Sequence, residues 1–306
     1  MRQPAITLAA ALAALTGCQV DEPLGDVHGV MFGVAAATYS MDEATQETAF
    51  AGVERKAERT FELDRIYRQW DNARPGSREL WTIEAGRTPI VSFRTTTLAW
   101  SAIAKGDHDA ELDEIAAGYV ALKVPVFCIF DQVPENSGDT LGTPADYAAA
   151  YHHIVGRFRA AGATKVAWIF NLKSTSFPPL ADLYYPGDDV IDWIGTSAYN
   201  FAVGPGGRWD SFESLVAAFV AWAEPHRKPL IVTEWTSKED SDDPERKAEW
   251  IRAATAYVKA TPQIKAMSAF WSVTDGTGFD SSEPALHAFR DMATDPYLNL
   301  RKPGAH

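Results

Sequence analysis

The chain has little cysteine, little basic charge and few long apolar runs. Cys18 and Cys128 are the only thiols in 306 residues, which excludes a disulfide-stapled scaffold. No group of Cys and His has zinc spacing. His152 and His153 are adjacent on a helical stretch, so they face different directions and make a poor metal pair. No metal and no cofactor is expected. Lys and Arg number 28 against 41 Asp and Glu, a net charge of −13. That balance argues against nucleic acid or anionic lipid as a partner of the folded part. No G-x-G-x-x-G is present, so the phosphate turn of a doubly wound open sheet is missing.

The start of the chain reads as an address. Met1-Arg2 is followed by the small apolar run Ala5–Thr16 and then by Leu15-Thr16-Gly17-Cys18. That run is shorter than the roughly 20 residues a spanning helix needs, and it fits the apolar region of a signal peptide. The ending resembles a bacterial lipobox, which implies a lipid on Cys18, export and anchoring to the cell envelope. Residues 1–17 are read as the signal peptide, 18–28 as a tether, 29–300 as one domain and 301–306 as a tail. No later stretch has 18 consecutive apolar residues, so no second span is expected. Cys128, inside Val124-Pro-Val-Phe-Cys-Ile-Phe130, reads as a buried, inert thiol. A monomer is expected.

From Met31 onward, short apolar runs alternate with amphipathic stretches. Strands are expected at Met31–Thr38, Leu63–Tyr67, Pro89–Arg94, Val124–Phe130, Lys165–Asn171, Ile191–Tyr199, Pro229–Trp235 and Ile264–Trp271. Most are apolar on both faces, as strands buried in a parallel sheet should be. Helices are expected at Glu43–Arg59, Arg78–Ala85, Ala110–Leu122, Pro144–Ala161, Phe212–Ala223, Pro244–Ala260 and Glu283–Ala293. Thr143-Pro144 reads as an N-cap followed by a first-turn proline, and Asp243-Pro244 opens the later helix in the same way. This alternation, without a linker or a repeat, predicts an α/β protein folded as a single (β/α)8 TIM barrel. Chemistry in that architecture sits at the C-terminal ends of the strands.

Glu234 is the informative residue there. It closes the apolar run Pro229-Leu-Ile-Val-Thr, so it faces either a barrel mouth or a buried partner such as Arg94. A second acidic segment, Asp131-Gln-Val-Pro-Glu135-Asn136, follows the fourth strand. Two carboxylates flanking one bond are what glycoside hydrolysis requires. One donates a proton, and the other attacks or activates water. Trp209, on Gly204-Pro-Gly-Gly-Arg-Trp-Asp210, and Trp235, next to Glu234, are candidates for stacking on sugar.

From about Phe32 to Tyr297 the chain resembles glycoside hydrolase family 26, the β-mannanase-like family of clan A barrels. Gly86-Arg-Thr-Pro-Ile-Val-Ser92, Ile103-Ala-Lys-Gly-Asp107, Gly162-Ala-Thr-Lys-Val-Ala-Trp168, Tyr185-Pro-Gly-Asp-Asp-Val-Ile-Asp-Trp193, Lys228-Pro-Leu-Ile-Val-Thr-Glu234 and Pro262-Gln-Ile-Lys-Ala266 carry the resemblance through their order and spacing. It implies a retaining, endo-type enzyme on a β-linked polysaccharide. Glu234 would be the nucleophile, Tyr199 the strand-six Tyr that orients it, and Trp271 an aromatic platform under the sugar. Arg94 and Gln132 would join the substrate-binding set. The sequence departs from the family after strand four. Gln132 and Val133 stand where the family has His and its acid/base Glu, and Val133 cannot transfer a proton. Glu135, or less readily Asp131, is then the candidate acid/base. If neither serves, the expectation becomes a glycan-binding lipoprotein on the same barrel, because losing a general acid typically costs about 10²–10⁴-fold in rate.

Overall fold

The computed structural model describes residues 29–36, 42–201, 208–272 and 277–300. Cys18 and the segments read as signal peptide, tether and tail therefore lie outside the described residues. Eight strands form a closed barrel in chain order, each parallel to its neighbours. They are β1 (Met31–Ala35), β2 (Leu63–Gln69), β3 (Thr88–Arg94), β4 (Val126–Phe130), β5 (Val166–Lys173), β6 (Trp193–Asn200), β7 (Leu230–Ser237) and β8 (Ile264–Phe270). The helices are α1 (Glu43–Ala57), α2 (Ser77–Glu84), α3 (Trp100–Lys105), α4 (Asp109–Leu122), α5 (Gly138–Leu141), α6 (Pro144–Ala160), α7 (Leu180–Tyr184), α8 (Phe212–Ala223), α9 (Arg246–Ala260) and α10 (Glu283–Thr294). The (β/α)8 architecture expected from the alternation is the one observed. None of the described helices is long and apolar enough to cross a membrane.

Caps explain several boundaries. Thr143 and Asp146 form a reciprocal capping box, with Pro144 in the first turn of α6. α9 starts later than the sequence suggested. Arg246 donates its N–H to the Asp243 carbonyl (3.2 Å), and the Asp243 side chain accepts from the N–H of Glu245 (3.1 Å). Residues 243–245 are therefore spent on a turn before the helix. The short helix α3 had no periodic signal in the sequence; its buried Trp100 and Ile103 pin it down.

Two apolar clusters divide the packing. The larger lies between strands and helices and includes Phe32, Phe93, Trp168, Trp235 and Phe289. The smaller is built from Met31, Leu63, Ile90, Phe127, Ile129, Ile169, Trp193, Ile231 and Ala266. These residues come from every strand at alternating positions, so they fill the N-terminal part of the barrel interior. Cys128 is buried in the outer cluster, and burial raises its thiol pKa, which leaves it inert.

Candidate active site

Polar side chains replace the apolar filling at the C-terminal end of the interior. On β2, Arg65 and Tyr67 follow Leu63 on the same face. Arg65 Nε donates to Glu234 Oε1 at 3.0 Å, and the Tyr67 hydroxyl donates to the same oxygen at 2.5 Å. β2 and β7 are not neighbours in the sheet, so these contacts run across the interior. The Tyr199 hydroxyl, from β6, donates to Glu234 Oε2. Glu234 is 6 % exposed. All three of these partners are donors, which suits a carboxylate acting as acceptor only. Burial, and next the charge of Glu234, hold both phenols well above the usual tyrosine range. Both therefore remain protonated donors.

A β-bulge brings Glu234 into the interior. Val232 lies opposite Thr196 while Glu234 lies opposite Ser197, so Thr233 is an extra residue. Thr233 Oγ1 donates to Asn171 Oδ1 of β5 at 2.5 Å, while the next side chain, Glu234, meets β2 and β6. Two consecutive side chains thus point inward, which regular alternation forbids and a bulge allows. Without it, Glu234 would join Val232 in the outer apolar layer.

The segment after β4 is organised differently. Asp131 Oδ1 accepts from the N–H of Thr95 (3.0 Å) and Oδ2 accepts from Trp100 Nε1 (2.6 Å). Both oxygens hold the β3–α3 loop. Burial raises the Asp131 pKa to about 7, against the lowering effect of Trp100, Thr95 and Arg94. Glu135 Oε1 accepts from the N–H of Lys173 (2.8 Å) and from Ser176 Oγ (2.8 Å). Its Oε2 is buried with no hydrogen-bond partner. Asp131 and Val133 both have positive φ, 43° and 53°, and for β-branched Val133 that backbone is strained. Asn136 accepts from Lys173 Nζ (2.6 Å), and Gln132 is half-buried.

The remaining expected residues fall in different places. Arg94 ends β3, half-buried; the ion pair of Glu234 is with Arg65 rather than with Arg94. Trp271 is 1 % exposed and packs on Phe279 and Phe289 at 5.7 and 5.2 Å. That corrects the expectation of a sugar platform there. Along β8, Phe270 points inward, 5.7 Å from Tyr199, so alternation sends the next residue outward. Trp235 is likewise 0 % exposed, stacked 5.6 Å from Trp250, and it lines no cleft. Trp209 is half-buried with the Arg246 guanidinium 4.6 Å from its ring centre. Sequence reasoning missed Arg65, Tyr67 and Phe270. The signal was the alternation Leu63-Arg65-Tyr67, hidden by the charges of Asp64 and Arg68 on the opposite face. Those pair outward with Arg78 and Glu79. Among the described residues, no group of three or more His, Cys, Asp or Glu is placed to hold a metal ion.

No family model matches the chain. Endoglucanase H of Acetivibrio thermocellus is 32% identical over 159 residues, 49% of this chain and 17% of that protein. The β-1,3-xylanase TXYA of a Vibrio species is 25% identical over 135 residues, 43% of this chain and 28% of that protein. The matched region thus spans less than a third of either relative. Among solved structures, the catalytic domain of the GH26 endo-β-1,4-mannanase of Bacillus sp. JAMB-750 superposes with a TM-score of 0.66 at 16% identity, covering 88% of this chain and 87% of that one. The GH26 β-mannanase BoMan26A of Bacteroides ovatus gives 0.62 at 14% identity, with 91% and 94% covered. At such identities the likeness shows the fold.

Proposed function

We propose that the chain is a retaining glycoside hydrolase that cuts within a β-linked polysaccharide, as a member of the family-26 group it resembles. The observation that carries the proposal is Glu234, inserted into the barrel mouth by a bulge and held by Arg65, Tyr67 and Tyr199. In this reading a Glu234 oxygen attacks the anomeric carbon, and the glycosidic C–O bond breaks. The leaving oxygen takes a proton from Glu135, which then deprotonates the water that releases the sugar. Hydrogen-bond accounting favours Glu135 over Asp131 as the acid. Both Asp131 oxygens hold a loop, whereas Glu135 keeps Oε2 free of partners. Because that oxygen is buried, the loop after β4 must turn it toward the cleft for the transfer. The mannanases and the xylanase to which the chain is similar support a β-linked substrate.

A second reading, a glycan-binding barrel with weak hydrolysis, is favoured by Val133 and by the loop-holding roles of both nearby acids. One experiment separates them. The chain is incubated with β-1,4-mannan, β-1,4-glucan and β-1,3-xylan, and with their 2,4-dinitrophenyl β-glycosides, whose leaving group needs no proton. Hydrolysis of a polysaccharide with retained configuration, lost in Glu234→Gln, supports the enzyme. Hydrolysis of the activated glycosides alone supports the second reading. Turnover unchanged in Glu234→Gln overturns both.

Anchoring to the cell envelope by a lipid on Cys18 is a separate part of the proposal. Fatty-acid labelling that is lost in Cys18→Ala supports it; labelling that persists refutes it.

A further inference from the structure

Phe201 follows the last residue of β6 and is 41% exposed, more than any other aromatic among the described residues. A single exposed ring is ordinary by itself; what sets Phe201 apart is its contact with a residue that holds Glu234. Its ring stacks on Tyr199, with centroids 4.7 Å apart and an angle of 23° between planes. Tyr199 in turn donates to Glu234 and meets Phe270 edge-on. Phe201, Tyr199 and Phe270 therefore form one aromatic wall beside the carboxylate. Lys238, on the loop after β7, places its ammonium over the Phe201 ring, 5.5 Å from the ring centre. Its N–H is fixed to the Asn200 carbonyl at 3.1 Å.

In the glycosidase reading a sugar attacked by Glu234 lies beside the hydroxyl end of Tyr199, which reaches that carboxylate. Phe201 follows two residues later, and its exposed ring stands 4.7 Å from that of half-buried Tyr199, on the side open to solvent. We propose that Phe201 is the stacking platform for the sugar ring next to the one attacked, with Lys238 donating to a hydroxyl of that ring. The proposal rests on the glycosidase reading and deepens it. An all-equatorial or nearly all-equatorial β-linked pyranose presents a face of C–H groups, which is what an aromatic face takes up. Buried Trp271 and Trp235 leave this role open, and Phe201 fills it.

The test uses the full chain and variants at Phe201. Binding is read by retardation in native gels containing β-1,4-mannan, β-1,4-glucan or β-1,3-xylan, in the Glu234→Gln background. Turnover is read in the active background. Phe201→Ala weakens retardation by the glycan that binds by about tenfold. It raises KM for the polysaccharide by a similar factor while kcat changes less than twofold. The loss on a dinitrophenyl β-monoglycoside, which has no neighbouring ring, is several-fold smaller. Phe201→Trp restores both binding and KM. A fall in kcat shared equally by polymer and monoglycoside makes Phe201 a prop for Tyr199 and overturns the platform. So does unchanged KM and retardation, with hydrolysis itself left standing. If no glycan retards the Glu234→Gln protein and none is cleaved by the parent chain, the glycosidase reading fails and the platform falls with it. Thermal unfolding of Phe201→Ala, expected within a few degrees of the parent, shows that the variants are folded.

Discussion

The ends of β7 and β4 carry the same functional group and use it in opposite ways. Glu234 accepts from three side-chain donors, and they come from β2 and β6, across and beside it. Asp131 accepts from the N–H of Thr95 and the indole of Trp100, and Glu135 from the N–H of Lys173 and the hydroxyl of Ser176, so both tie neighbouring segments together. A carboxylate held by side chains from several strands is prepared for chemistry, because its partners can remain in place while a substrate arrives. A carboxylate that accepts from the neighbouring segments after β3 and β5 is part of the scaffold until a loop moves. Strain follows the same division. Asp131 and Val133 bend into left-handed backbone, whereas β7 accommodates its extra residue as a bulge between paired strands.

Removing the acid side of this contrast has the largest expected effect. Glu135→Gln should lower polysaccharide turnover by about 10²–10⁴-fold, and that of dinitrophenyl glycosides far less. Equal losses on both, with a lower unfolding midpoint, would make Glu135 a loop clamp only. Arg65→Met tests the β7 side. Breaking one half of a buried ion pair costs about 3–5 kcal/mol, read as a lower urea midpoint; an unchanged midpoint would mean that Glu234 does not depend on Arg65. Tyr199→Phe removes one hydrogen bond to a charged acceptor, worth about 1.5–3 kcal/mol. It should slow turnover by about ten- to a hundredfold, with a small change in KM. A pure KM effect would show that Tyr199 serves the sugar rather than the carboxylate.

The smallest effect concerns pH. The Asp131 carboxyl titrates near 7 in the folded chain against 3.8 for an ordinary Asp. Between those values the folded chain holds a proton that the unfolded chain has lost, so this residue makes stability fall as pH rises from about 4 to about 7. Asp131→Asn should flatten that decline in urea midpoints measured at pH 4.5 and 7.5. A decline as steep as in the parent would assign it to other groups.

The barrel was legible because its strands are apolar on both faces and punctuated by capped helices, Thr143-Pro144 being one. Glu234 was legible because a charge ends an apolar run. Its partners were not. Charged residues stand on both faces of β2, so Arg65 and Tyr67 do not stand out from Asp64 and Arg68. Trp271 and Trp235 misled for a geometric reason: inward and outward positions alternate, and the bulge at Thr233 shifts the count without leaving a mark in the sequence. At the end of β8 it is Phe270, not Trp271, that faces inward beside Tyr199.

The central claim is that Glu234 forms a bond to sugar. A 2-deoxy-2-fluoro-β-glycosyl fluoride of the hydrolysed glycan, incubated with the chain and followed by intact mass and peptide mapping, tests it directly. The account predicts one added fluoroglycosyl group, on the peptide containing Glu234 and absent in Glu234→Gln. A label on another carboxylate, or turnover of the reagent without any covalent adduct, would contradict it.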